Sequence, residues 1–155
     1  MTRQRKILIT FAVLYAGLMV HLLFFRTPAF TDEPYWGQLK AHFNPIPFRT
    51  IGLYLRLLEM PARPWLIRLA HINLLGNIVL FIPLGLFPPL LRENMQRLWK
   101  TGLFAAGIMT AVELLQMLLL VGTCDIDDLI LNVLGACMGY GLFRLMHWKK
   151  KAPAT

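Results

Sequence analysis

The polar side chains of this chain that could do chemistry sit inside apolar stretches or at their mouths. Asn73 and Asn77 are spaced i, i+4; Glu113 and Gln116 are spaced i, i+3; Asp125, Asp128 and Asn132 are spaced i, i+3, i+7. Each set falls on one face of a helix. A carboxylate in a membrane-spanning helix costs about 2.5–3.5 kcal/mol on insertion scales, so Glu113 must face a bundle interior or a wet cavity. There it is either protonated or paired with a cation, for which Arg49 and Arg68 in the preceding loop are the candidates. Asp127 lies off the shared face and is read as capping or charge-stabilising the start of its own helix.

Two chemistries fit this set. As a binding surface, Asn73, Asn77, Glu113, Gln116, Asp125, Asp128, Asn132 and Arg49 would offer donors and acceptors to one ligand. As a reaction centre, Asp125, Asp128 or Glu113 would move a proton. No nucleophile–base pair accompanies them. A third reading makes the same residues hydrogen-bonding glue between helices. His42, His71 and the aspartates have no metal-ligand spacing. The chain has no phosphate-binding glycine loop and no dinucleotide fingerprint, so the sequence calls for no cofactor. Cys124 and Cys137 form no pairing motif, and His21 reads as a packed side chain.

The elements that must position these groups follow from the apolar patterning. Of the 155 residues, 57% are hydrophobic and only 15% are charged, with a mean hydropathy of +0.56. A soluble domain carries about 25% charged residues. The sequence therefore predicts one all-α, polytopic membrane domain over residues 1–155. Four apolar runs, about 7–25, 69–91, 102–121 and 129–147, are long enough to span a bilayer. The first is read as a retained helix, because Phe24-Phe25-Arg26 lacks the small residues of a cleavage site. Pro83 is expected to kink the second, and Pro88-Pro89 to loosen its end. Trp65, Trp99 and Trp148 are placed as interfacial anchors. Gly135 and Gly139 form a small-xxx-small pair that permits close helix approach.

The net charge of +8 could indicate nucleic acid. The basic residues instead flank the apolar runs, where a bilayer explains them. Arg3, Arg5 and Lys6, then Arg92, Arg97 and Lys100, then Arg144 and Lys149–Lys151 fall on one side, assigned as cytoplasmic. Residues 26–68 and 122–128 are then external, and both termini are inside. Within the long first loop, Ile51, Tyr54, Leu55 and Leu58 make the apolar face of a short amphipathic helix. Pro61 and Pro64 end it, and Pro45 and Pro47 force an extended entry. With this orientation the three polar sets share the outer half of the bundle. Glu113 lies about 12 Å below the outer end of its helix.

Four segments carry a resemblance. They are Asn44-Pro45-Ile46-Pro47-Phe48, Asn73-Leu74-Leu75-Gly76-Asn77 continuing to Phe81-Ile82-Pro83-Leu84-Gly85, Glu113-Leu114-Leu115-Gln116, and Asp125-Ile126-Asp127-Asp128 with Asn132 and Gly135. In this order, over residues 40–143, the chain resembles the VanZ-like family of small membrane proteins. Gly122-Thr123-Cys124 stands where that pattern carries an arginine-containing stretch. The resemblance implies a multi-pass protein of the bacterial cytoplasmic membrane, in a family linked to teicoplanin-type glycopeptide susceptibility. Its expected partners are membrane lipids and a lipid-linked envelope precursor or glycopeptide, with no nucleic acid. The oligomeric state stays open.

Overall fold

The computed structural model describes residues 2–25, 32–59 and 64–151, the last four by backbone alone. Arg26, Pro61 and Arg63, and the side chains of Trp148 and Lys149–Lys151, lie outside the described residues. The chain is built of helices α1 (Arg3–Phe24), α2 (Tyr35–Ala41), α3 (Arg49–Glu59), α4 (Pro64–Leu91), α5 (Leu98–Leu118) and α6 (Ile126–Lys151). Two-residue strands β1 (Phe43–Asn44) and β2 (Cys124–Asp125) pair in parallel. Helices α1, α4, α5 and α6 are long and apolar enough to cross a membrane. The molecule is an all-α, multi-pass membrane protein.

The bounds of these helices differ from the apolar runs in ways the chemistry explains. Helix α4 starts at Pro64, five residues before the run. Proline is suited to a first helical position, where its missing N–H would have had no partner. The helix then absorbs Arg68 and continues through Pro83, Pro88 and Pro89 to Leu91. Helix α5 begins at Leu98 and closes at Leu118, three residues short of the run. Its end is wrapped by Leu120 in the left-handed region (φ 54°), with Val121 N donating to Gln116 O.

Helices α4 and α6 form the central seam, and glycine sets their separation. A Cβ on Gly135 would lie 2.2 Å from Ile78 O, one on Gly139 1.9 Å from Ile82 O, and one on Gly85 1.7 Å from Ala136 O. Helix α5 packs on α6, and its buried residues are Thr101, Ala105, Met109, Glu113 and Gln116. Helix α1 is the outermost, held by Met19 against Phe81 and Met109. Tyr15 Oη donates to Leu80 O on α4 at 2.9 Å. At the opposite end from β1 and β2, Tyr140 Oη donates to Gln96 O and Gln96 Nε2 to Pro89 O, tying α6 to the α4–α5 connection. Trp65 and Trp99 are both more than half exposed.

Residues 32–59 form a cap over one end of the bundle. Helix α3 packs against α4 and α6 as an amphipathic helix. Its packed face is Ile51, Tyr54, Leu57 and Leu58 rather than the expected stripe with Leu55, which is half exposed. Arg56 and Glu59 point outward. Helix α2 and the β1–β2 pair were not legible as elements. Tyr35 Oη pins α2 to Leu118 O at the end of α5, and Cys124 N donates to His42 O as the chain enters β2.

Candidate functional site

Beneath the cap, carboxylates from α5, β2 and α6 meet. Asp125 is 6% exposed and sits between the cap and the bundle. Its Oδ2 accepts from Asn44 Nδ2 at 2.9 Å and from Thr50 Oγ1 at 2.6 Å. Its Oδ1 accepts from Asp127 N at 2.9 Å, the bond of a helix N-cap for α6. Its own N–H donates to Glu113 Oε2 at 3.2 Å, which ties α5 to the start of α6. Glu113 itself is buried.

Asp127 does something the sequence did not reveal. It does not cap its own helix. Its carboxylate is fully buried and reaches across to the N-terminus of α3. Oδ1 accepts from Phe48 N at 2.5 Å, and Oδ2 accepts from Thr50 N at 2.7 Å and Ile51 N at 3.0 Å. A helix start leaves N–H donors without partners and carries partial positive charge. No acidic residue lies in the first turn of α3, so the carboxylate comes from α6 instead. Phe48 adopts the left-handed region (φ 63°), a conformation that costs a non-glycine residue about 1–2 kcal/mol. Its bond to Asp127 offsets that cost.

The other expected members divide. Asn77 Nδ2 donates to Asp128 Oδ1 at 2.7 Å, joining α4 to α6. Gln116 Nε2 donates to Leu23 O at 2.9 Å, joining α5 to the end of α1 rather than to the carboxylates. Asn73 Nδ2 bonds Leu69 O of its own helix, so the structure does not bring it into the cluster. Asn132 is 2% exposed on α6, and its Oδ1 has no partner. Arg49 is exposed, and the hydrogen bonds to Asp125 and Asp127 come from other groups. Neutral donors hold Asp125 and Asp127 in its place.

Two further groups sense the cluster. The Tyr54 phenol on the packed face of α3 is pushed above its ordinary value by burial, then by the charges of Asp128 and Asp125. The Cys124 thiol is pushed up by burial, then by Glu113 and Asp125. The sequence reading took Tyr54 as apolar packing alone; only its position one turn beyond Thr50 hinted otherwise.

A cavity of about 230 Å³ opens beside the cluster. It is lined by Phe43, Asn44 and Pro45 from the cap, Thr110 and Glu113 from α5, and Cys124, Asp125, Ile126 and Leu129 from the start of α6 and the residues before it. Asn44 Oδ1 is buried without a partner. Among the described residues no group of His, Cys, Asp and Glu is arranged to hold a metal ion. The arrangement can present carboxylate and amide oxygens to a donor-bearing ligand, or offer Glu113 or Asp125 as an acid or base to a group in the cavity.

A family model described as VanZ/LLP1 matches residues 11–147. No curated protein and no solved structure matches the chain.

Proposed function

The chain belongs to the VanZ/LLP1 family, and from that premise we propose that it is a binding or accessory protein of the bacterial cytoplasmic membrane. It handles an envelope component at the carboxylate-lined cleft under the cap. Both termini lie in the cytoplasm and the cap faces outward, a reading supported by the basic flanks at the far ends of the helices. The component is a lipid-linked envelope precursor or a glycopeptide, and handling it shifts susceptibility to teicoplanin-type glycopeptides.

One observation carries this reading. Asp125 is bonded to the cap, to the start of α6 and, through its N–H, to Glu113, and both carboxylates line an open cavity. Helix glue alone has no need of a cavity. A second reading, a membrane enzyme acting on a lipid or lipid-phosphate head group, draws on the same pair as acid and base, with Asp128 beside them. The experiment is a lipid comparison of cells with and without the protein, run together with teicoplanin susceptibility. A chemically altered lipid in the wild-type cells favours the enzyme. A redistributed but unaltered lipid favours the binding role. Identical lipids and identical susceptibility remove both.

A further inference from the structure

Resting on that binding role, the geometry points to one ligand class: the primary ammonium head group of a membrane lipid, entering sideways from the leaflet between the cap and α5. Size comes first. Pockets for drug-sized ligands run to about 300–1,000 Å³. This cavity, at about 230 Å³, admits a small head group, so of the two components proposed it is the lipid and not the glycopeptide that enters it.

Depth comes second. Thr110 and Glu113 lie about 12 Å and about 8 Å from the end of α5, at 1.5 Å per residue. Thr110 is exposed on the flank of that helix, where a spanning helix meets lipid. Phe43, on the opposite rim, is 52% exposed, and Trp36, Ile46 and Phe48 of the cap are more exposed still. An apolar rim of this kind belongs in the boundary between head groups and acyl chains. A ligand that reaches the cavity through it must keep a tail in the hydrocarbon.

Charge comes third. The Asp125 carboxylate, which lines the cavity, is met among the described residues by neutral donors, Asn44 Nδ2, Thr50 Oγ1 and Asp127 N. Asn44 lines the same wall, and its Oδ1 is an acceptor buried with no donor. A buried acceptor left unmade is a cost that a bound N–H relieves. The raised Cys124 thiol, also in the wall, reports the same negative field. A primary ammonium supplies both the positive charge and the donors, in charge-assisted bonds. A quaternary choline supplies charge without a donor.

The test uses the purified full chain in detergent with short-chain lipids bearing ethanolamine, choline or glycerol head groups, and with free ethanolamine. Binding is read by native mass spectrometry. The ethanolamine lipid should bind about tenfold tighter than the choline lipid, the worth of one good charge-assisted bond. Free ethanolamine should bind far more weakly than the lipid. Thr110→Phe, which fills the mouth without touching the carboxylate bonds, should abolish the preference, and Leu103→Phe on the outer face of α5 should leave it intact. Equal binding of the three lipids, or a preference unmoved by Thr110→Phe, overturns the head-group assignment. Free ethanolamine binding as tightly as the lipid overturns entry from the leaflet. If equal binding is found while removal of the protein still changes envelope lipids, this inference falls and the proposed function stands.

Discussion

Asp127 shows how a residue can be legible in kind and illegible in role. Spacing along α6 says which face a side chain occupies, and correctly sets Asp127 apart from Asp125 and Asp128. It says nothing about a helix seventy-odd residues away that begins without a carboxylate of its own. That want was the available signal, since Arg49-Thr50-Ile51 opens an amphipathic pattern with no acidic first turn. Asp127→Ala should destabilise the protein by roughly 3 kcal/mol or more, because three N–H groups, buried or partly so, lose their acceptor. Asp127→Asn, keeping one acceptor oxygen, should fall between. Thermal unfolding in detergent measures both, and an unchanged melt for the alanine variant would refute the clamp. Cys124 gives the pH counterpart. A raised thiol value means less thiolate at any given pH, so its alkylation rate should climb only above the range of a free thiol. Removing the Glu113 charge with Glu113→Gln should shift that rate curve back toward lower pH. A midpoint at or below that of a free thiol contradicts the negative field at the cavity.

At the scale of elements, the four long helices were legible because apolar length alone specifies them, and the intramembrane carboxylate of Glu113 could only point inward. Helix α2 and the β1–β2 pair were not. Elements of seven and two residues are too short for periodicity to register, and both are fixed by distant partners such as Leu118 O and His42 O. At Asp125 and Asp127 the donors are neutral groups rather than Arg49. Sequence proximity suggests a salt bridge, whereas at these two carboxylates the α3 backbone, with Thr50 and Asn44, supplies the bonds. The glycine seam was readable from Gly135 and Gly139, but its partner Gly85 was not, because the α4–α6 register is tertiary information. Gly139→Ala should cost about 1–3 kcal/mol by overpacking against Ile82 O. Gly107→Ala, with open space around its Cβ position, should be neutral or stabilise by up to about 1 kcal/mol through helix propensity. Unfolding of the two variants side by side checks the contrast, and equal effects would deny the close approach.

As a whole molecule, the protein gathers its polar chemistry at one end of an apolar bundle, and its proposed role depends on which side of the membrane that end faces. With Cys124 and Cys137 replaced, a cysteine introduced at Lys40 in the cap should react with an impermeant reagent on intact cells, and one at Gln4 should not. The reverse pattern would turn the bundle over and move the cleft to the cytoplasm. The central claim is that the carboxylates under the cap form one working site. It is tested most directly by returning the double variant Glu113→Gln, Asp128→Asn to cells lacking the protein and measuring envelope lipids and teicoplanin susceptibility at matched membrane abundance. The account predicts that these cells stay like those without the protein, because the variant keeps shape while removing the cavity-wall charge of Glu113 together with that of Asp128. Full restoration by the double variant would contradict it and leave the polar cluster as helix packing.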